Sequence, residues 1–255
     1  MIPVVAVTDL SKSYRNHMAL AHVSFVVPKG CIYGLIGPNG AGKTTTLSIL
    51  AGLVSATSGK VSLLGMDAGA NRTRLVSKVG FASPHFSFFD YLSGAEVILA
   101  CGLMHGLGGQ EAQRRMQDLV ALLDLQAAAG HYLFEYSQGM LQKLRLACAL
   151  IHAPEVLLLD EPFLGLDHAS VYCLVRTLVH MSAQGRTIVL TSHDLGLVER
   201  LCNRAGILHQ GSFRREITLT PESEGRPVLM ESRSGLEAAL WEVAGTPELR
   251  ELSWM

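Results

Sequence analysis

Gly37, Gly42, Lys43 and Thr44 stand at the spacing G-x-x-x-x-G-K-[ST] inside the run GPNGAGKT, a combination suited to binding polyphosphate. The glycines let the chain turn tightly with its amide hydrogens pointing inward, where a Cβ would obstruct both the turn and the anion. A helix beginning near Lys43 adds unpaired amides that favour negative charge. Pro38, Asn39, Gly40 and Ala41 complete the cradle, Lys43 reaches the β- and γ-phosphates, and the Thr44 hydroxyl takes a place on Mg²⁺. Thr45 and Thr46 follow in the first turn as further phosphate contacts. ATPases, GTPases and kinases all use this motif, so it names the ligand and not the reaction.

A second group of residues supplies the chemistry that the loop lacks. Asp160 ends the uniformly apolar run EVLLLD, where an acid beside a phosphate loop can hold Mg²⁺ directly or through water. Glu161 follows at once and can accept a proton from an attacking water. His193, in TSHD, stands just past another apolar strand. The C-terminal ends of parallel strands converge on the ligand crevice, so it could contact the γ-phosphate or orient water. In YSQGM, at 136–140, Ser137 and Gly139 open a helix whose free amides and serine hydroxyl could hold a phosphate. About 100 residues separate them from the phosphate loop, which leaves open the same nucleotide, one bound by another subunit, or an ordinary helix cap. Tyr14 could stack on adenine, and a surface turn tyrosine is an equally economical reading.

Positioning these groups requires a strand, loop and helix around residues 31–50, which the apolar run Cys31–Ile36 and the periodicity of Thr44–Leu53 provide. Upstream, Val4–Leu10 and Ala21–Val27 read as strands joined by a turn over SKSYRN. Downstream come strands at Lys60–Leu64 and Val79–Ser83, the latter ended by Pro84, and a short helix within Asp67–Ser77. Helices over Glu96–Met104, Glu111–Leu123 and Ser137–Ile151 have no convincing strand between them, which predicts a helical lobe inserted between two halves of an α/β core. The strand Glu155–Asp160, a helix over Ala169–Met181, the strand Thr187–Thr191, a helix over Leu195–Asn203 and the strand Ala205–His209 alternate as crossovers around a parallel sheet do. The tail from Ser212 holds possible strands in FRREITL and PVLME and a short helix over Leu236–Val243. Phe86, Phe88, Phe89 and Tyr91 form a dense aromatic cluster that either seals a small lobe or docks a hydrophobic partner.

Composition narrows the function classes. The chain has 255 residues, 49% of them apolar and only 17% charged, with a net charge of -1, so a nucleic-acid surface with clustered Lys and Arg is not expected. No run of 18 apolar residues exists, and Met1–Asp9 is too soon interrupted for a signal peptide, so the expected location is the cytosol. Five scattered cysteines without a C-x-x-C fit reduced thiols and neither a disulfide framework nor a zinc site.

The order of these motifs resembles the nucleotide-binding subunit of ATP-binding-cassette (ABC) transporters. GPNGAGKT resembles its phosphate loop, YSQGM its signature, LLLDEP at 157–162 its magnesium-binding strand and catalytic glutamate, GLD at 165–167 its D-loop, and the histidine of TSHD its switch histidine. The resemblance runs from about residue 4 to 215. It implies an α/β fold with a RecA-like P-loop NTPase core, an antiparallel β-subdomain and a helical signature subdomain inserted at approximately 86–152. The ABC ATPase domain would then span 1–220, followed by a small C-terminal extension at 221–255. It further implies ATP and Mg²⁺ as ligands, Tyr14 on adenine, Asp160 with Thr44 on the metal, Glu161 polarising water, and Asp167 communicating across a dimer. Ser137 and Gly139 would reach the γ-phosphate bound by the opposite subunit of a homodimer or paralogous pair.

The implied partner is an integral membrane permease, with the chain peripheral on the cytoplasmic face of the membrane. YSxGM signatures resemble the group serving ABC-2 type exporters. Two departures stand out: Gln138 and Met140 alter the usual LSGGQ, and Pro84, with His85 beside it, falls where the family has a glutamine that touches the Mg²⁺ and water region. A regulatory subunit with weak hydrolysis and a soluble non-transport ABC ATPase are the alternatives, the second lacking here the long coiled coil, zinc cysteines or second cassette that such proteins carry.

Overall fold

The computed structural model describes residues 3–85 and 90–220, together with Leu236, Ala239, Glu242 and Val243. The chain begins with a long hairpin, β1 (Val5–Tyr14) and β2 (His17–Val27), followed by β3 (Ile32–Ile36) and α1 (Lys43–Leu50). The next elements are β4 (Ser58–Leu63), β5 (Met66–Asp67), α2 (Arg72–Val76) and β6 (Val79–Ala82). Three helices follow, α3 (Gly94–Met104), α4 (Gly109–Leu122) and α5 (Gln138–Leu150), the last entered through a single 3-10 turn over Leu133–Glu135. The chain then alternates through β7 (Val156–Leu159), α6 (His168–Ala183), β8 (Thr187–Thr191), α7 (Leu195–Leu201), β9 (Arg204–His209) and β10 (Ser212–Thr218).

Two sheets result. The larger has the order β10-β9-β3-β8-β7-β6, parallel except for the antiparallel β9–β10 pair at one edge. The smaller is antiparallel, in the order β2-β1-β4-β5. This is a RecA-like core with an antiparallel subdomain and flanking helices, as the motif order implies. Every residue of β3, β7 and β8 is buried, because α6 and α7 pack on one face of the central strands and α1 with the antiparallel sheet packs on the other. A fully buried leucine or valine stabilises by roughly 1.5–3 kcal/mol, so these three strands anchor the frame on which the site stands.

The SKSYRN segment is not a turn. Strand β1 continues through Tyr14 and only Arg15 and Asn16 remain at the tip, with Arg15 at φ +50° as a two-residue hairpin loop requires. Register shifts between Val7 and Ser13 let this polar stretch stay paired with β2 although its sequence lacks clean alternation. Strand β5, two residues long, left no periodicity to read. Strand β10 realises most of FRREITL, and Leu236, Ala239, Glu242 and Val243 are helical as expected. PVLME and the aromatic residues Phe86, Phe88 and Phe89 lie outside the described residues. Among the described residues no helix is long and apolar enough to cross a membrane.

Where α3 ends against α5, His105 and His152 stack with ring centroids 3.8 Å apart and planes 3° from parallel. Burial, then the neighbouring His105 ring, pushes His152 down to about 4, and burial also lowers His105. The folded chain therefore takes up these protons at lower pH than the unfolded chain, so stability is full above about pH 6.5 and declines toward pH 4. We expect a loss of ~1–2 kcal/mol between those limits, after discounting for the ring's partial exposure. Denaturant unfolding at pH 7 and pH 5 checks it: His152→Phe should flatten the difference, and an equal pH dependence in that variant would refute it.

Candidate active site

The loop from Gly37 to Gly42 joins β3 to α1, and its shape is set by packing on its outer side. Gly42 lies at φ +102°, and a Cβ there would stand 2.5 Å from Leu20 Cδ2 and 2.8 Å from the Ala19 carbonyl of β2. The hairpin that ends in Tyr14 thus braces the loop directly. Pro38, Asn39, Gly40 and Thr44 remain exposed, so the concave side is accessible. Lys43 Nζ donates to the carbonyls of Gly37 (2.7 Å) and Pro38 (3.2 Å), which holds its ammonium inside the loop. Burial pushes the Lys43 ammonium below its ordinary value, and the charges of Glu161 and Asp160 oppose that shift. Thr45 is half-buried in the first turn of α1, whereas the Thr46 hydroxyl donates back to the Gly42 carbonyl at 2.9 Å and is turned away from any phosphate.

Asp160, 1% exposed, sits just past β7. Its Oδ1 accepts from Thr191 Oγ1 at 2.7 Å and from Thr44 Oγ1 at 3.2 Å, and its Oδ2 accepts from Ser83 Oγ at 3.1 Å. Three hydroxyls from three different segments therefore converge on one carboxylate. A carboxylate beside a threonine hydroxyl is an oxygen-only donor set, which suits a hard cation that keeps water and phosphate in its remaining positions. Ser83 and Thr191 were not singled out from the sequence. Their signal was available, since each is a hydroxyl residue at the C-terminal end of an apolar strand, but the strand order that makes them neighbours of Asp160 was not.

Glu161 has φ +46°, an uncommon conformation for a residue with a side chain. Its N–H donates to Thr191 Oγ1 at 2.9 Å, and its Oε2 lies 2.8 Å from His193 Nδ1 and accepts from the His193 N–H at 3.3 Å. The Glu161 side chain is one-fifth exposed and that of His193 two-thirds, so the pair faces outward beside the loop. A carboxylate oriented by an imidazole is an arrangement that can take a proton from a bound water. The structure therefore brings Lys43, Thr44, Asp160, Glu161 and His193 together at one end of the parallel sheet.

Ser137, Gly139 and Asp167 form a second group. Ser137 is exposed and caps α5, its Oγ accepting from the Met140 N–H at 3.2 Å. Gly139 packs so closely on the turn after Glu161 that a Cβ would stand 2.6 Å from the Gly165 carbonyl. Asp167 caps α6 and accepts from the Ser170 N–H (2.8 Å) and hydroxyl (3.0 Å), which hold its carboxyl below the usual range. Tyr14 stands apart at the end of β1, 45% exposed, with Lys12 Nζ 4.7 Å from its ring centroid. Pro84 and His85 follow β6, Pro84 half-buried and His85 exposed, and it is Ser83, one position earlier, that brings a polar atom to Asp160.

The family model described as ABC transporter matches residues 20–164. An uncharacterized ABC transporter ATP-binding protein of Synechocystis sp. is 40% identical over 220 residues, 82% of this chain and 61% of that protein. The bacitracin transport ATP-binding protein BcrA of Bacillus licheniformis is 34% identical over 219 residues, 85% of this chain and 70% of that protein. The chain thus spans less than two thirds of the first relative and slightly more of the second. Among solved structures, a dimeric post-hydrolysis state of an ATP-binding cassette bound to ADP and Pi superposes with a TM-score of 0.79 at 25% identity, covering 86% of this chain and all of that one.

Proposed function

The chain belongs to the ABC transporter family, among its ATP-hydrolysing ATP-binding cassettes, and on that premise we propose that two copies clasp two ATP molecules, hydrolyse them, and so drive a separate membrane-embedded exporter. The observation that carries this reading is the meeting of Lys43, Thr44, Asp160 and the Glu161–His193 pair at the C-terminal ends of β3, β7 and β8. In it the amide hydrogens of the glycine-rich loop, other than at Pro38, cradle the phosphates and Lys43 balances their charge. Thr44 and Asp160 would hold Mg²⁺, which supplies charge neutralisation for the phosphoryl group in flight. Glu161 accepts the proton of the attacking water, and His193 holds that carboxylate at the terminal phosphate. Tyr14 supplies the ring for adenine.

Pairing follows from where the second group faces. Ser137 and Gly139 lie at an exposed helix start, suited to receive the phosphate held by the loop of a mate, with Asp167 beside them. The superposable cassette is dimeric, which supports the same arrangement here. The YSQGM signature supports an exporter as that partner, the transport role in the name of the Bacillus licheniformis relative supports a membrane partner, and such a partner would hold this chain at the cytoplasmic face of the membrane. Exposed Tyr91, Tyr132 and Phe134, with Phe134 centroids 6.1 and 5.8 Å from the two tyrosines, offer an aromatic surface to that partner. Pro84 favours one competing reading, a regulatory subunit with slow turnover, because it puts no polar atom where a glutamine would reach the water.

The test is the oligomeric state of the Glu161→Gln chain with Mg-ATP, with and without the membrane proteins that co-purify. A pair that forms with ATP, separates with ADP and weakens in Ser137→Arg is expected. A chain that stays monomeric with ATP in both preparations would sink the proposal.

A further inference from the structure

Gln142 lies one turn into α5, 2% exposed, and the roles assigned above do not use it. Its Nε2 donates to the carbonyl of Pro162 at 3.1 Å and to the carbonyl of Glu161 at 3.3 Å. Both partners can only accept, so the amide nitrogen must face them and the orientation of the side chain is fixed by chemistry. The other backbone polar atom of Glu161, its N–H, is held by Thr191 Oγ1 at 2.9 Å. Glu161 is therefore clamped on both sides of its Cα, from β8 through a hydroxyl and from α5 through an amide. Such a clamp is what its φ of +46° requires, since a residue with a Cβ stays in that region only where its surroundings over-determine it.

We infer that Gln142 is a positioning residue for hydrolysis, setting the direction of the Glu161 carboxylate and linking it to the start of α5. This rests on the reading of Glu161 and Ser137 given above. The link has a mechanical meaning. Ser137 and Gly139 begin the same helix, and Gly139 itself abuts the Gly165 carbonyl, so α5 touches the segment after β7 at two places, 161–162 and 165. A shift of α5 on meeting a mate's nucleotide is carried to the Glu161 peptide without passing through the loop after β6. At that loop Pro84 has no side-chain polar atom and His85 is exposed, so the amide of Gln142 is a polar tie the helical lobe keeps to the catalytic strand end.

The test uses the full chain with whatever membrane assembly co-isolates with it, and two substitutions: Gln142→Leu, which removes both donors, and Gln142→Glu, which keeps size and shape while turning donors into acceptors. Both are expected to lower kcat about tenfold, equivalent to about 1.4 kcal/mol, with KM for ATP within about twofold of the parent. Added to Glu161→Gln, either should lower residual single-turnover hydrolysis no further, because the group it positions is already gone. A merely structural defect would cost the same in both backgrounds. If Gln142→Leu fails to fold, Gln142→Glu decides alone. Parental kcat in the folded variants, a loss confined to KM, or an undiminished loss on top of Glu161→Gln would overturn the inference. Full turnover in Glu161→Gln itself would instead overturn the reading on which it rests.

Discussion

Glu161→Gln is expected to lower ATP turnover by about 10²–10³-fold while leaving ATP affinity within about threefold of the parent. The amide keeps the size of the carboxylate, so the backbone bond to Thr191 and the approach of His193 survive, and only the capacity to accept a proton is lost. Neither Lys43 nor the loop amides depend on that capacity, so nucleotide should still bind and, in the proposed pair, persist longer. Single-turnover hydrolysis alongside equilibrium binding of a fluorescent ATP analogue separates the two effects. Turnover within about fivefold of the parent would remove Glu161 as the base and favour a proton acceptor elsewhere. His193→Ala should give a smaller loss, because the imidazole orients the carboxylate and does not replace it.

Substitution at Asp160 should separate a structural role from a chemical one. Asp160→Ala leaves Ser83 and Thr191, 3% and 0% exposed, without their acceptor, and leaves Thr44 with water as its alternative. Two buried hydroxyls that lose a partner cost about 2–4 kcal/mol together, which in a chain of this size lowers Tm by roughly 5–12 °C. Asp160→Asn retains an acceptor oxygen for Thr191 and removes the charge. Its melting temperature should stay within about 3 °C of the parent while Mg²⁺-dependent turnover falls by about 10²-fold or more. Thermal unfolding and a Mg²⁺ titration of turnover check both halves. An alanine variant that melts with the parent would show that the three hydroxyls do not depend on Asp160, and an asparagine variant with parental turnover would remove it from the metal site.

Sequence and structure contributed differently to these expectations. The phosphate loop was legible because its chemistry is local: glycines, a lysine and a threonine act within eight consecutive residues, between a strand and a helix whose periodicities are unambiguous. Asp160 and Glu161 were legible for a related reason, since an acid after a uniformly apolar strand marks the end of a buried parallel strand. The helix start at Ser137 could be placed from its capping side chain, and it does cap, whereas the cap at Asp167 sits two residues before the expected helix start at Ala169. The full length of the β1–β2 hairpin is not legible in the sequence, because bulges break the alternation on which a strand pattern depends.

What residue order determined, then, is the identity of the chemical groups and the elements that carry them, because periodicity, capping and glycine placement are short-range properties of the chain. Which groups meet was decided by the sheet. The order β8-β7-β6, with Ala82 paired to Leu159 and Leu159 to Leu190, puts Ser83, Asp160 and Thr191 in one row, although they lie 77 and 31 residues apart in the chain. The same packing sets the close approach of Gly139 to Gly165, the left-handed backbone of Glu161 and the reach of Gln142. Strand order and register arise from the burial of whole faces against one another, a sum over distant residues that no single stretch of sequence carries.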